Sequence, residues 1–180
     1  MSDNEPEAVA TATVPMRVYI PATLSMLQAL VDDGDMQPLS GTAFAVTPAL
    51  REAYAEGDDD ELAEVAIAEA ALASIRLLAA ESRADDLPLR RAVLIADADA
   101  EPRADLDTAV VRLRGRVSID QVAAAYVDNA DAEPFVAAAI EVIDSADLGD
   151  EDAELTVGDA QDHDLAWYAT QELPFLLDLL

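Results

Sequence analysis

The sequence predicts an α/β domain, with α+β as the alternative, built as a single mixed sheet of about five strands with helices packed on it. Three observations carry that expectation. Short apolar runs alternate along the chain with longer stretches whose apolar residues recur every three or four positions. Residues that cap helices stand where those longer stretches begin. The 180-residue chain is 52% hydrophobic, enough for one packed core without disulfides or a structural metal. Aromatics contribute only 4%, so the core is expected to be Leu, Ile, Val and closely packed Ala.

Residues 1–15 are polar, acidic and aperiodic and read as a disordered tail, leaving residues 16–180 as a single globular domain. Arg17-Val-Tyr-Ile20 reads as a strand ended by Pro21. Thr23 caps a helix with Leu24, Leu27, Leu30 and Val31 on one side, stopped at Asp33-Gly34. Gly41 to Val46 is a second strand. Thr47-Pro48 opens a helix, hydroxyl as cap and proline in the first turn, expected to stop near Gly57. Asp58-Asp59-Asp60 places negative charge at the start of the longest helix, about residues 60–81, where it suits the macrodipole. Its apolar residues fall on two arcs, with Leu62, Val65, Leu72 and Ile75 on one and Ile67, Leu77 and Leu78 nearly opposite. Such a helix is sandwiched or forms an interface, and the second option implies a homodimer through helix 60–81.

Pro88 breaks the chain before Ala92-Val-Leu-Ile-Ala96, an apolar run suited to a strand buried on both faces. Residues 97–107 read as an acidic loop, and Ala109 to Val117 as a strand. Ser118 and Gln121 form a capping box expected to open a helix with Ile119, Val122 and Tyr126 on its buried side. Pro134 begins another helix, with Val136, Ile140 and Ile143 inward. Residues 144–164 read as a long acidic connection, Leu165 to Tyr168 as the last strand and Thr170 to Leu180 as a terminal helix. Two strand-cap-helix units, starting near Arg17 and Arg112, suggest a weak internal duplication.

All ten basic residues are Arg, against 38 acids, for a net charge of −28. Residues 1–75 carry 2 Arg against 14 acids, residues 76–116 are balanced at 8 against 8, and residues 117–180 carry no Arg against 16 acids. Such a field repels phosphate backbones and anionic membranes, so neither nucleic acid nor a membrane is an expected partner. Missing residues restrict chemistry further. Without Lys there is no Schiff base, P-loop lysine or pyridoxal attachment, and without Cys no disulfide or thiol nucleophile. One His excludes a multi-histidine zinc site. No cofactor is expected. The absence of Cys, of a long apolar run and of a basic signal start points to the cytoplasm.

Three places survive that filter. His163 lies between Asp162 and Asp164, and a flanking carboxylate can raise an imidazole pKa and orient its ring for general-base or mixed-ligand metal chemistry. Asp128, Asn129 and Tyr168 are further candidates for such a site. Asp97 and Asp99, expected at the end of the buried strand, are weaker candidates for holding a divalent metal. Val93 to Asp99 superficially resembles the start of the haloacid dehalogenase phosphatases. The match fails at Ala100, where Thr or Val belongs, and for want of a downstream Lys. Arg112, Arg114 and Arg116 alternate, which on a strand puts them on one face to bind an anion. The run Asp147 to Asp152 does not place oxygen ligands as a calcium loop requires and reads as solvated.

From Met16-Arg-Val-Tyr-Ile-Pro-Ala-Thr-Leu24 to the C-terminus the chain resembles an uncharacterised family of actinobacterial proteins. The distinctive stretches are Ala125-Tyr-Val-Asp-Asn-Ala-Asp131, Gly158-Asp-Ala-Gln-Asp-His-Asp164, Leu165-Ala-Trp-Tyr168 and Gln171-Glu-Leu-Pro174. The resemblance implies a high-GC source and carries no catalytic assignment. The leading expectation is a non-catalytic binding or protein-interaction domain. Its alternatives are a carboxylate-based hydrolase using Asp162, His163 and Asp164 with Mg²⁺ or Mn²⁺, and a sensor of an anionic metabolite.

Overall fold

A computed structural model describes residues 14–81 and 86–180. Its strands are β1 (Val14–Ala22), β2 (Asp35–Met36), β3 (Thr42–Phe44), β4 (Ala92–Pro102), β5 (Val110–Leu113), β6 (Val117–Ser118), β7 (Val122–Asp128) and β8 (Leu165–Ala169). Its helices are α1 (Leu24–Asp33), α2 (Pro48–Ala53), α3 (Asp59–Ala80), α4 (Glu133–Asp147), α5 (Glu151–Gln161) and α6 (Leu173–Asp178).

The single mixed sheet is not what forms. Every strand pairing is antiparallel, and four of the strands close on themselves. β1 lies along β4 from Val14 opposite Ala100 to Ala22 opposite Ala92. β3 joins β1 at Tyr19 and Phe44, and β5 joins β3. β5 then returns to the far end of β4, Ala100 facing Leu113, and closes the barrel. Since β1 fills one edge of β4, β7 and β5 divide the other between them. β7 takes Ala92–Ala96 and carries β8 on its outer side. β2 and β6 form a separate small sheet.

The length of β4 makes this closure workable, and it overturns the reading of residues 97–102 as part of a loop, leaving only 103–107 as the turn. Asp97, Asp99 and Glu101 alternate with Ala98 and Ala100, a period-two pattern in which small residues turn inward and carboxylates outward. A second correction concerns Ser118 and Gln121. Their capping box is present, but it closes only a 3-10 turn at Ile119–Gln121 before the chain runs into β7. Pairing on both sides, to β4 and β8, overrides the helical preference of Ala123-Ala-Ala125. The second strand-cap-helix unit is therefore missing, and with it the internal duplication. A third correction is α5, which lies in the expected acidic connection. Asp150 caps it, and its buried side is Ala153, Val157 and Ala160, too sparse a stripe to stand out among the acids. The tail boundary also moves, since Val14 and Pro15 already pair with Ala100 and Asp99; residues 1–13 lie outside the described residues.

Other local signals translate directly. Thr23 accepts the Met26 amide, Thr47 the Leu50 amide and Asp58 the Glu61 amide, each at the start of a helix. Both faces of the sheet are covered. One packs against α1 and α6 through Val18, Ile20, Leu27, Leu94 and Leu173. The other packs against α3 through Tyr19, Val93, Leu62, Ala66 and Ala70. The end of α3, with Ile75 and Leu78, packs instead on Val136, Ala139, Ile140 and Ile143 of α4. The apolar residues of α3 thus divide along its length rather than by arc, Leu62, Val65 and Ile67 toward the sheet and Leu72, Ile75 and Leu78 toward α4. Ser74 marks the changeover, its buried hydroxyl donating to the Ala22 carbonyl at 2.7 Å and accepting the Ala92 amide at 3.1 Å. That one side chain joins α3 to the first rung of β1 and β4.

Candidate functional site

The polar centre of the molecule is an ion pair that the sequence reading missed. Arg91 stands just before β4 and Asp128 ends β7. The two are neighbours across the sheet, the Asp128 amide donating to the Arg91 carbonyl at 3.1 Å. Their side chains are 2% and 0% exposed. Asp128 accepts from the Arg91 amide and Nε at 2.8 Å and from Nη2 at 2.6 Å. Arg91 Nη1 donates to Gln161 Oε1 at 2.9 Å, and Nη2 also reaches the His163 carbonyl at 2.8 Å. Gln161 in turn donates to the Ala68 carbonyl of α3 at 3.0 Å. Every Arg91 nitrogen has a partner, as burying a charge requires. Nothing in the sequence links Arg91 to Asp128, because only the β4–β7 register brings them together.

This network bears directly on the catalytic candidates. Asp128 is consumed by Arg91. His163 enters through its backbone, while its half-buried ring meets Phe135 at a tilt of 42° and a centroid distance of 4.4 Å and places Nδ1 3.0 Å from the Asp159 carbonyl. A carbonyl only accepts, so Nδ1 carries the proton in that contact. Asp162, Asp164 and Asn129 are exposed, and Tyr168 packs against the core on the α1 side. Of the six candidates, only Asp128 and the His163 carbonyl meet at one group, Arg91. Among the described residues no cluster of three or more His, Asp or Glu side chains is arranged to hold a metal ion.

Asp97 and Asp99 lie within β4 rather than at its end. Asp97 pairs with Arg17 at 3.0 and 3.1 Å, and that hydrogen bond holds its carboxyl below the usual range. The arginine trio does not share one strand face. β5 ends at Leu113, and Gly115, with φ of 78°, turns the chain before β6. Arg116 pairs with Asp35 at 2.6 Å and Arg114 lies 3.8 Å from Glu101. Arg112 is half-buried opposite Thr42 and Glu101.

A different feature stands out at the edge of the sheet. Among the described residues, β8 is the strand of the main sheet with a single neighbour. The backbone bond from Asp128 to Arg91 fixes which groups point where. Asp128, Tyr126 and Ala124 address β4, so Val127 and Ala125 address β8 and are answered by Ala166 and Tyr168. The N–H and C=O groups of Leu165 and Trp167 and the N–H of Ala169 therefore face the open side, while the Ala169 carbonyl opens the 3-10 turn Thr170–Glu172. Trp167, opposite Tyr126, is 56% exposed. Sheet edges are normally blunted by charges, proline or a bulge, and β8 holds none of these within its five residues. Acids stand beside it instead, Asp162 and Asp164 before and Glu172 after, all exposed.

The chain belongs to DUF6912, a family of unknown function, whose family model matches residues 16–177. No curated protein and no solved structure matches it. No helix among the described residues is long and apolar enough to cross a membrane.

Proposed function

We propose that this member of DUF6912 is a non-catalytic binding domain that engages another protein through the open edge of β8. One observation carries the reading: an uncharged strand with free backbone groups on one side and a half-exposed Trp167 beside them. A partner strand laid there would satisfy the outward groups of Leu165, Trp167 and Ala169, and an indole offers a large apolar contact with few rotors to freeze. The Arg91 network supports the same reading. It fixes the His163 carbonyl two residues before β8, and so holds the start of the edge rigid. The engagement of Asp128 with Arg91 takes that carboxylate away from a hydrolase built on Asp162, His163 and Asp164. The reading places the protein in the cytoplasm of a high-GC organism, needing no cofactor and shunning nucleic acid because its field repels phosphate.

Thermal melting across Mg²⁺, Mn²⁺ and a panel of phosphorylated metabolites tests this against catalysis. The expected result is that His163→Ala melts with the same ligand response as the parent chain. A ligand-induced rise in Tm that disappears in His163→Ala would refute the reading and restore the metal-dependent hydrolase.

A further inference from the structure

We infer that the segment received by β8 is extended and basic: an apolar or β-branched stretch with arginine or lysine at both ends. The inference rests on the reading of β8 as a docking edge and deepens it to the chemistry of the partner. Its ground is the charge around that edge. Residues 117–180 contain 16 acids and no basic residue except the lone His. Among the described residues three arginines from elsewhere reach into this part of the fold, and each is engaged there. Arg76 pairs with Asp147 at 2.9 Å, Arg91 with Asp128 at 2.6 Å, and Arg90 lies 3.8 Å from Glu133. Asp162, Asp164 and Glu172 bracket β8.

A second copy of the chain is a poor occupant on the same ground. It would bring a net charge of −28 against −28, and like charges across a strand pair oppose association. A basic segment reverses that sign. Its terminal cations would meet Asp162, Asp164 and Glu172, its backbone would pair with Leu165, Trp167 and Ala169, and a side chain beside Trp167 would be apolar or a guanidinium lying on the indole face.

Trp167 is the only tryptophan, so its fluorescence reports on this edge alone. The full chain is titrated with a capped Arg-Val-Thr-Val-Thr-Val-Arg peptide and with its counterpart carrying Glu in place of Arg. The basic peptide is expected to shift Trp167 emission to the blue, saturably and less strongly at high salt, while the acidic one leaves it unchanged. Ala169→Pro separates strand pairing from loose attraction. Its φ of −65° already suits proline, and the amide lost is one that faces the open side. With melting unchanged, this variant is expected to bind the basic peptide about tenfold or more weakly. Asp162→Asn with Asp164→Asn is expected to weaken it as well.

Equal binding of the basic peptide to Ala169→Pro would mean that the peptide adheres to the acidic surface without pairing, and would overturn the docking edge itself. Tighter binding of the acidic peptide, lost in Ala169→Pro, would overturn the basic partner and leave the edge standing. Silence from both peptides would overturn the basic partner too. A blue shift that grows with protein concentration, with no peptide present, would name a second copy as the occupant.

Discussion

Asp128→Ala is expected to destabilise the fold by about 3–5 kcal/mol, because it leaves a buried guanidinium without its counter-charge. Arg91 is 2% exposed and receives no relief from water. Of the five hydrogen bonds that Arg91 donates, the variant removes the three made to the carboxylate, leaving Gln161 Oε1 and the His163 carbonyl, both neutral. Urea denaturation of parent and variant measures the loss directly. Pairing the change with Arg91→Met is expected to recover part of it, since an apolar pair of similar volume no longer buries a charge. The recovery stays incomplete because Arg91 also ties Gln161 of α5 and the approach to β8. A loss below about 1 kcal/mol, the range of exposed pairs, would show that the ion pair is solvated.

Gly41→Ala is expected to be the next most damaging of the single changes considered. Gly41 has φ of 67°, a region that disfavours any residue with a Cβ, and residues held there cost about 1–3 kcal/mol. Here the added methyl meets a second obstacle. Its Cβ would lie 2.8 Å from the Leu113 carbonyl oxygen, which is backbone of β5 and cannot swing aside. Relief requires β3 and β5 to part, and those strands close the barrel. Gly115→Ala is the matched control. Its φ of 78° imposes a similar backbone penalty, but nothing lies within 4 Å of its Cβ. The expected order in thermal melting is parent, then Gly115→Ala, then Gly41→Ala. Equal melting of the two variants would mean that β3 and β5 are not locked together at this point.

The contrast between these sites shows what was legible in the sequence. Helix starts were, because Thr23, Thr47 and Asp58 act on amides three residues away and need no tertiary partner. So was Ala92–Ala96, whose unbroken apolar character allows only a site buried on both faces. Pairing was not legible. Closure of the barrel depends on β4 continuing through three acids to Pro102, and acids at alternate positions read equally well as a loop. β7 was hidden by a genuine capping box followed by alanines, where local preference and the final fold disagree. Much of the candidate site was lost the same way. Asp128 was noticed as a carboxylate, but its partner Arg91 lies 37 residues earlier in the chain. Trp167 was placed on its strand correctly, yet that the strand ends the sheet follows only from the order of all the others.

Amide hydrogen exchange along β8, followed residue by residue by NMR in the free protein, tests the open edge most directly. Leu165, Trp167 and Ala169 are expected to exchange much faster than Ala166 and Tyr168, which donate to β7. Slow exchange at all five amides would show that the edge is already occupied, and would contradict a docking strand waiting for its partner.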